Sequence, residues 1–233
     1  MIYYYDLHIH TVLSPCADVL MTPHNIFNMA NLKGLNLIAI TDHNSTKQLP
    51  ICYEIAQSYD LLFIPGIEIS VKEGFHVLCY FKQIEDAMKF GDDIENYLDQ
   101  TSYDTSFYGE QHLTDINDEI VSSYPYLLSR TTKLSMKELQ FKLKSYEHVL
   151  MYAHLDRPSF SGIVFINEYT LHAIELTRQA DESYIKNHQL QNAKIFRNSD
   201  AHQLTDLLEK TSFNQIELNE LNIESFFAYF NHG

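Results

Sequence analysis

Short apolar segments that end in histidine or a carboxylate recur along the chain and most constrain its fold. Five such segments end in His, Asp or Glu, and a sixth, FHVLCYF, begins next to His76: the five are DLHIH, LNLIAITDH, LLFIPGIE, HVLMYAH and AKIFRNSDAH. In parallel α/β folds the carboxyl ends of the strands meet at one mouth, where ligands bind. The pattern therefore predicts a polar site built from the ends of several strands.

The order of the predicted elements indicates an α/β fold with a largely parallel sheet. Strand IYYYDLHIH precedes a helix that begins at Thr22-Pro23 and closes at Gly34, and LNLIAIT precedes a helix over roughly residues 46–58. Alternation of strands and helices is typical of parallel sheets with crossover helices. About seven parallel strands predict a closed or nearly closed (β/α) barrel. A doubly wound open sheet is the alternative.

The length of 233 residues predicts a single domain over residues 1–233. The segment at about 83–146 is more polar and less regular, and it is interpreted as an elaboration of that domain that covers the mouth. Within it, INDEI is predicted to join two short strands, and SMKE has the spacing of a capping box before a helix.

The amino-acid composition of the chain predicts which partners it binds and in which cellular compartment it works. The formal net charge is -15, and an acidic surface repels a phosphate backbone, so long nucleic acid is not expected as a partner. No apolar run is long enough to span a membrane and no signal peptide is evident, which predicts a soluble cytoplasmic protein without a membrane partner. Cys16, Cys52 and Cys79 lack paired spacing, so we expect free thiols in a reducing compartment.

The strand-end histidines and carboxylates favour metal ligation as a set. Alternation along a strand predicts that His8 and His10 share one face with Asp6. Two imidazoles can reach one cation, although HxH alone is a weak signal. Buried charges are costly unless they are paired or coordinated, which favours ligation for the whole set. Cys16 is expected to be a small loop residue, because the other donors are nitrogen and oxygen. The remaining histidines are assigned no role: His24, His112, His148, His172, His188 and His232.

The motifs of this chain resemble those of the polymerase and histidinol phosphatase (PHP) superfamily of metal-dependent phosphoesterases. The matching stretches are DLHIHTVLS, AITDHNS, PGIEIS, the following His76, AHLDRPS and NSDAH, and in order they cover most of the chain. The resemblance implies a distorted (β/α)7 TIM-like barrel of the PHP type. It also implies up to three divalent metals at the carboxyl-terminal mouth.

Carried over position by position, the resemblance implies ligands for three metal positions. One position would be held by His8, His10, Glu68 and Asp200. Glu68 would bridge to a second position, shared with His76 and His154. The remaining position would be held by Asp18, His43 and His202. In much of the family the carboxylate follows HxH more closely, whereas here SPCA precedes Asp18.

The implied reaction is hydrolysis of a small phosphomonoester, a nucleotide or a phosphorylated metabolite, by attack of a metal-bound hydroxide. Zinc, manganese and iron all suit histidine and carboxylate ligands. Glu68 and Asp200 are the predicted catalytic residues, together with Arg157. Arg157 and Arg178 follow strand ends and are predicted to bind substrate phosphate. Asp42 and Asp6 are expected to orient metal-bound histidines.

Two other functions remain open from the sequence. A metal-dependent amidohydrolase also places HxH at the end of a first barrel strand, but it typically supplies a carboxylated lysine where this chain has Glu68. A non-catalytic or regulatory metal-binding module is the second possibility.

Overall fold

The computed structural model describes residues 1–231, so His232 lies outside the described part. The strands are β1 (Ile2–Ile9), β2 (Leu37–Ile40), β3 (Leu62–Ser70), β4 (His76–Phe81), β5 (His112–Thr114), β6 (Ile120–Ser123), β7 (His148–Tyr152), β8 (Ala173–Glu175), β9 (Ile195–Phe196) and β10 (Gln215–Glu217). The α-helices are α1 (Pro23–Leu32), α2 (Leu49–Ala56), α3 (Ile84–Ile94), α4 (Thr105–Tyr108), α5 (Met136–Leu143), α6 (Glu182–Asn187) and α7 (Ile223–Asn231).

Eight strands form one curled sheet in the order β10-β1-β2-β3-β4-β7-β8-β9, and β5 pairs with β6 separately. The predicted α/β barrel is confirmed in the form of a curled half-barrel. Its sheet is not parallel throughout, because β4 runs antiparallel to β3 and β7, and β10 runs antiparallel to β1. Only residues 71–75 connect β3 to β4. A parallel crossover needs a dozen or more residues, so this link must be a hairpin.

The antiparallel direction of β4 explains why its first residue belongs to the mouth. His76 pairs with Ser70 at the end of β3. The start of β4 therefore lies beside the carboxyl ends of the parallel strands. A histidine at the beginning of this strand reaches the same place as histidines at the ends of the others.

The segment after the edge strand β9 returns to β1 at the mouth. After β9, Ala201 bridges in parallel to Ile9 at the end of β1. The backbone N–H of His10 donates to the carbonyl of Ala201 at 3.0 Å, and the N–H of Ala201 donates to the carbonyl of His8 at 3.1 Å. These bonds place the residues that follow β1 and β9 side by side.

The sheet is covered by apolar side chains on both faces. Along β2, Ile38 and Ile40 belong to the cluster that includes α1, α2, α3 and α5. Leu37 and Ala39 belong to the opposite cluster, which includes α7. Both sets are fully buried, as expected for a strand that alternates between two apolar faces.

The polar segment 83–146 contains α3, the short helix α4, the β5–β6 hairpin and α5. The predicted hairpin is confirmed, and the predicted capping box is present, with Ser135 and Glu138 exchanging hydrogen bonds before α5. The segment packs against the loop after β1, where the N–H of His112 donates to the carbonyl of Val12 at 2.9 Å. It therefore borders the mouth. Within residues 1–231, no helix combines the length and apolar character needed to cross a membrane.

Candidate metal centre

The structure brings eight of the nine predicted ligands together at the mouth. Their ligand atoms lie within 4.8 Å of one another in three overlapping groups: His10, His43 and His202; His8, His10 and Asp200; His43, Glu68 and His76. The eighth, His154, reaches Glu68 through its Nε2 at 3.2 Å. These side chains come from distant parts of the sequence and meet because the sheet curls.

Glu68 lies at the centre of this arrangement. Its Oε1 lies 2.8 Å from Nδ1 of His76 and 3.2 Å from Nε2 of His154, and its Oε2 lies 2.7 Å from Nδ1 of His43. Burial raises the pKa of Glu68, but the charges of the surrounding imidazoles outweigh burial and hold the pKa well below its usual range. Glu68 is therefore a buried carboxylate with imidazoles at both oxygens.

Several polar atoms at the centre are buried without a hydrogen-bond partner. They are Nδ1 of His43, Oε2 of Glu68, Nε2 of His76 and Nδ1 of His154. The first two approach each other closely but are not aligned for a hydrogen bond. Leaving a buried polar atom unsatisfied costs about 1–3 kcal/mol, so such atoms gather where a ligand satisfies them. Imidazole nitrogens and carboxylate oxygens are the donors that zinc, manganese and iron accept, and the residues present therefore fit divalent cations.

Glu175 orients His8 and is not identified from the sequence. Nδ1 of His8 lies 3.0 Å from Oε1 of Glu175. An ionised carboxylate can only accept, so Nδ1 carries the proton and Nε2 presents its lone pair to the mouth. Glu175 also accepts from the backbone N–H of His154 at 2.7 Å and from Asn198 at 2.8 Å. A sequence signal is present, because LHAIE is an apolar run that ends in a carboxylate.

Asp42 acts on His10 through a hydroxyl group. Ser14 Oγ donates to Oδ1 of Asp42 at 2.7 Å and lies 2.9 Å from Nδ1 of His10. Because the only hydroxyl proton goes to Asp42, Ser14 must accept from Nδ1–H of His10, which leaves Nε2 free to bind a cation. Asp42 also accepts from the backbone N–H and hydroxyl of Thr11, both at 2.7 Å. Its predicted orienting role is therefore indirect.

Asp6 does not contact the imidazoles, although strict alternation predicts that it lies with them. The pairing of β1 with β2 shifts register between Asp6 and Ile9, so alternation is interrupted there. The Asp6 carboxylate instead accepts from the backbone N–H of Ser199 at 3.0 Å and of Leu208 at 2.9 Å. It ties β1 to the segment after β9.

Asp200 divides its two oxygens between the histidines and an arginine. Oδ1 lies 3.1 Å from Nε2 of His8 and 3.0 Å from Nε2 of His10, and Oδ2 lies 2.5 Å from the guanidinium of Arg157. Burial raises the pKa of Asp200, but the histidines outweigh it and hold the pKa well below its usual range. His202 places Nδ1 2.8 Å from the carbonyl of Asp200, so that nitrogen donates and Nε2 is free.

Arg157 and Arg178 line a cavity of about 420 Å³ beside the histidines. His154 and Asp200 form its inner wall. The side chain of Arg157 is 41% exposed although it pairs with Asp200, and Arg178 is exposed. Both arginines therefore lie where an anionic ligand that enters the mouth would meet them.

Asp18 is the one predicted ligand that the structure does not bring to the group. It is exposed, and its carboxylate accepts a hydrogen bond from the N–H of Leu20. Cys16, which is predicted to be a small loop residue, is exposed as well. Partial burial raises the pKa of the Cys16 thiol, but the neighbouring imidazoles of His202 and His43 outweigh this effect and lower the pKa to about 6.

The comparisons with known proteins agree with this fold. A profile of the PHP domain matches residues 6–184. The 5'-3' exoribonuclease Rnm of Salmonella typhimurium is 43% identical over 68 residues, which cover 28% of this chain and 22% of that protein. A crystal structure of Endonuclease Q with a 27-mer duplex substrate carrying an abasic lesion superposes with a TM-score of 0.71 at 21% identity, over 100% of this chain and 57% of that chain. A structure described as a metal-dependent phosphoesterase from Bifidobacterium adolescentis superposes with a TM-score of 0.57 at 18% identity, over 90% and 91% of the two chains.

A curled α/β half-barrel with histidines and carboxylates gathered at its mouth defines a metal-dependent hydrolase. The chain belongs to the PHP domain family, whose profile matches most of its length. It spans about a fifth of the exoribonuclease and a little over half of the endonuclease.

The expectation about partners is wrong. From the net charge, we expect the protein to bind a small phosphorylated molecule and not long nucleic acid. However, similar proteins are named as an exoribonuclease and as an endonuclease with a duplex substrate. Net charge does not describe the mouth, because the carboxylates there are paired with imidazoles and with Arg157. Recognition depends on the local field where the ligand binds.

Proposed function

We propose that this protein is a metal-dependent phosphodiesterase that cleaves nucleic acid. The observation that carries the proposal is the buried carboxylate of Glu68, shared by imidazoles at both oxygens within overlapping groups of possible ligands. Divalent cations bound there would lower the pKa of an attacking water and neutralise charge on the phosphate oxygens. Glu68 and Asp200 hold the ligand set in place around the reacting phosphate.

The arginines supply the protein's own positive charge to the substrate. Asp200 keeps the guanidinium of Arg157 beside the metal groups, because one carboxylate oxygen faces the imidazoles and the other faces the arginine. A guanidinium can donate two parallel hydrogen bonds to phosphate oxygens. We assign Arg157 to the reacting phosphate and Arg178, which lines the same cavity, to a neighbouring phosphate.

An aromatic ring beside the mouth favours a polynucleotide over a simple phosphate ester. Phe160 is 49% exposed, and its ring stacks on His76 with centroids 4.7 Å apart. One face of Phe160 therefore packs on a predicted metal ligand, and the exposed part can accept an unpaired base. Base–aromatic stacking is a common way to bind single strands. The resemblance to proteins named as nucleases supports the same substrate class.

The proposed enzyme is one PHP domain over residues 1–233 that carries up to three zinc, manganese or iron ions. The protein acts in the cytoplasm, where the free thiols of Cys16, Cys52 and Cys79 stay reduced.

The experiment compares substrates on metal-loaded protein. Single-stranded RNA, single-stranded DNA and an abasic duplex are tested beside a simple phosphodiester, a phosphomonoester and an amide. We expect cleavage of a polynucleotide, with loss of about 100-fold or more in Glu68→Gln, on the order of the effect of removing one essential charge-stabilising group. Glu85→Gln, which changes an exposed carboxylate on α3, is the matched control and is expected to keep full activity.

Three outcomes would contradict the proposal. Turnover of phosphomonoesters alone would indicate a phosphatase, and turnover of amides would indicate an amidohydrolase. Metal binding without turnover of any substrate would indicate a non-catalytic module.

A further inference from the structure

The loop that carries Arg178 is held by a carboxylate, although the arginine itself is exposed. This loop follows β8 and includes Thr177. The backbone N–H of Thr177 donates to Oδ1 of Asp156 at 2.7 Å, and its hydroxyl donates to Oδ2 of the same carboxylate. The hydroxyl in turn accepts from the N–H of Gln179 at 3.2 Å. Asp156 therefore uses both of its oxygens to bind the residue directly before Arg178.

Arg197, which directly follows β9, holds the other side of the same loop. Its guanidinium donates to the carbonyl of Thr177 and, at 2.8 Å, to the carbonyl of Ala180. The N–H of Ala180 also donates to the carbonyl of Thr177 at 3.3 Å. The loop is thus tied down on both sides of Arg178, whereas the side chains of Arg178 and Gln179 are exposed.

Asp156 also fixes this loop relative to the other arginine of the cavity. It directly precedes Arg157 in the loop after β7. The N–H of Arg157 donates to the carbonyl of the predicted metal ligand His154 at 3.0 Å, which closes that loop into a tight turn. One carboxylate therefore connects the loop of Arg157 to the loop of Arg178, and both loops line the same cavity.

The two guanidiniums differ in their own contacts. Arg157 is paired with Asp200, which holds it beside the metal groups. Arg178 forms no ion pair with any carboxylate of residues 1–231. The backbone of its loop is therefore the main restraint on where this side chain reaches. A binding group whose backbone is already ordered loses less conformational entropy when a ligand binds.

We propose that Asp156 is a positioning residue, which holds the Arg178 loop so that this arginine meets the phosphate next to the one bound by Arg157. The inference rests on the proposed function, because it takes the substrate to be a polynucleotide with consecutive phosphates. Removal of a negative charge beside a phosphate site by itself favours an anion. Loss of the Asp156 carboxylate is nevertheless expected to weaken substrate binding, because it releases the loop.

The first test measures the loop in the protein without substrate. Trypsin cleaves after arginine and lysine, at a rate that follows how often the chain opens locally. We expect Asp156→Ala to speed cleavage between Arg178 and Gln179 about tenfold or more, on the order of the loss of hydrogen bonds to a charged group. Cleavage after the exposed Lys89 on α3 is expected to stay unchanged, as followed by mass spectrometry. Equal rates at Arg178 in the wild type and Asp156→Ala would overturn the proposal.

The second test asks whether Asp156 acts through Arg178. We expect Asp156→Ala to raise the KM for single-stranded RNA or DNA about tenfold, with kcat and metal content unchanged. The KM for a simple phosphodiester, which has no neighbouring phosphate, is expected to stay the same. In an Arg178→Ala background the same substitution is expected to add nothing. Asp156→Asn, which keeps one acceptor oxygen, is expected to recover part of the affinity.

Asp206→Ala is the matched control, because Asp206 is an exposed carboxylate that lines the same cavity. Its loss is not expected to raise the KM. Effects of Asp156→Ala and Arg178→Ala that add in full, or an equal loss on the polynucleotide and the simple phosphodiester, would overturn the proposal and leave the nuclease activity of the wild type in place. Absence of that activity in the wild type would instead overturn the proposed function and, with it, the assignment of Arg178 to a phosphate.

Discussion

Glu175 shows how one buried carboxylate can orient a predicted metal ligand. Its carboxylate accepts from Nδ1 of His8, from Asn198 and from the backbone N–H of His154. Three donors therefore converge on one acceptor group. This arrangement fixes the imidazole of His8 with Nε2 directed into the mouth, where it could bind a cation.

The first prediction concerns Glu175→Gln. Glutamine keeps one acceptor oxygen, but its NH₂ group faces other N–H groups and cannot accept from them. The imidazole of His8 therefore loses its fixed orientation. We expect metal affinity to fall about 10–100-fold, measured by competition with a chelating dye. Glu182→Gln, which changes an exposed carboxylate on α6, is the control. Equal affinities in the wild type and Glu175→Gln would contradict the assigned role.

The second prediction concerns Phe160→Leu. Leucine keeps an apolar contact with His76 but offers no ring for a base. We expect the KM for single-stranded RNA or DNA to rise about 5–150-fold, since one stacked base contributes about 1–3 kcal/mol. The KM for a simple phosphodiester is expected to stay unchanged. Phe141→Leu, at an exposed ring on α5, is the control. A KM that rises equally for both substrates would indicate damage to the metal site.

Among the secondary-structure elements, the direction of each strand determines which of its ends reaches the mouth. His76 begins an antiparallel strand, whereas Glu68 lies within a strand parallel to β2. The short link between these two strands allows only a hairpin. The sequence contains this information, but the alternation of strands and helices elsewhere favours a parallel interpretation.

The third prediction concerns Asp6, whose carboxylate connects β1 to the segment after β9. Burial raises the pKa of Asp6 from its ordinary 3.8 to about 6. Between these values the folded protein binds a proton that the unfolded chain does not, so this group adds stability as the pH falls. As the pH falls from about 7 to about 4, we expect the unfolding free energy of the wild type to rise by on the order of 3 kcal/mol relative to that of Asp6→Asn.

The measurement is denaturant unfolding of both proteins in chelator across this pH range. Chelation removes the contribution of metal release, and the comparison cancels groups common to the two chains. Parallel pH profiles for the wild type and Asp6→Asn would contradict the raised pKa. A difference that grows as the pH rises would contradict its sign.

For the molecule as a whole, we expect bound cations to contribute to the stability of the fold. The mouth concentrates buried imidazoles and carboxylates, and several of their atoms lack partners. The fourth prediction is that chelation lowers the unfolding free energy by about 2.7 kcal/mol for one site loaded at 100 times its Kd. At roughly 2–4 °C per kcal/mol for a chain of this size, Tm falls by several degrees.

Calorimetry with and without EDTA measures this difference, and added metal is expected to restore Tm. The Glu68→Gln variant serves as the comparison, because it removes the shared carboxylate and with it most of the metal dependence. A wild-type Tm that is the same in EDTA and in metal would contradict the prediction.

The net negative charge of the whole chain is a poor predictor of the ligand that binds at the mouth. A total of 31 acidic residues against 16 basic ones describes a surface average, whereas a ligand meets only the charges of the mouth. Arg157 and Arg178 stand there among carboxylates already paired with imidazoles. The exclusion of nucleic acid fails because an average does not describe a local site.

The amino-acid sequence alone specifies the class of fold and most of the residues gathered at its mouth. Apolar periodicity marks the buried strands, and parallel strands expose their carboxyl ends together, so polar residues at those ends can be grouped from their positions along the chain. His8, His43 and Glu68 are identified in this way. The partners of those residues depend on how the folded chain packs. LHAIE marks Glu175 as a carboxylate at a strand end, but its contact with His8 cannot be predicted from that position. The turn that occupies the Asp18 carboxylate is also missed, because loop geometry and contacts between distant segments leave no periodic signal in the sequence.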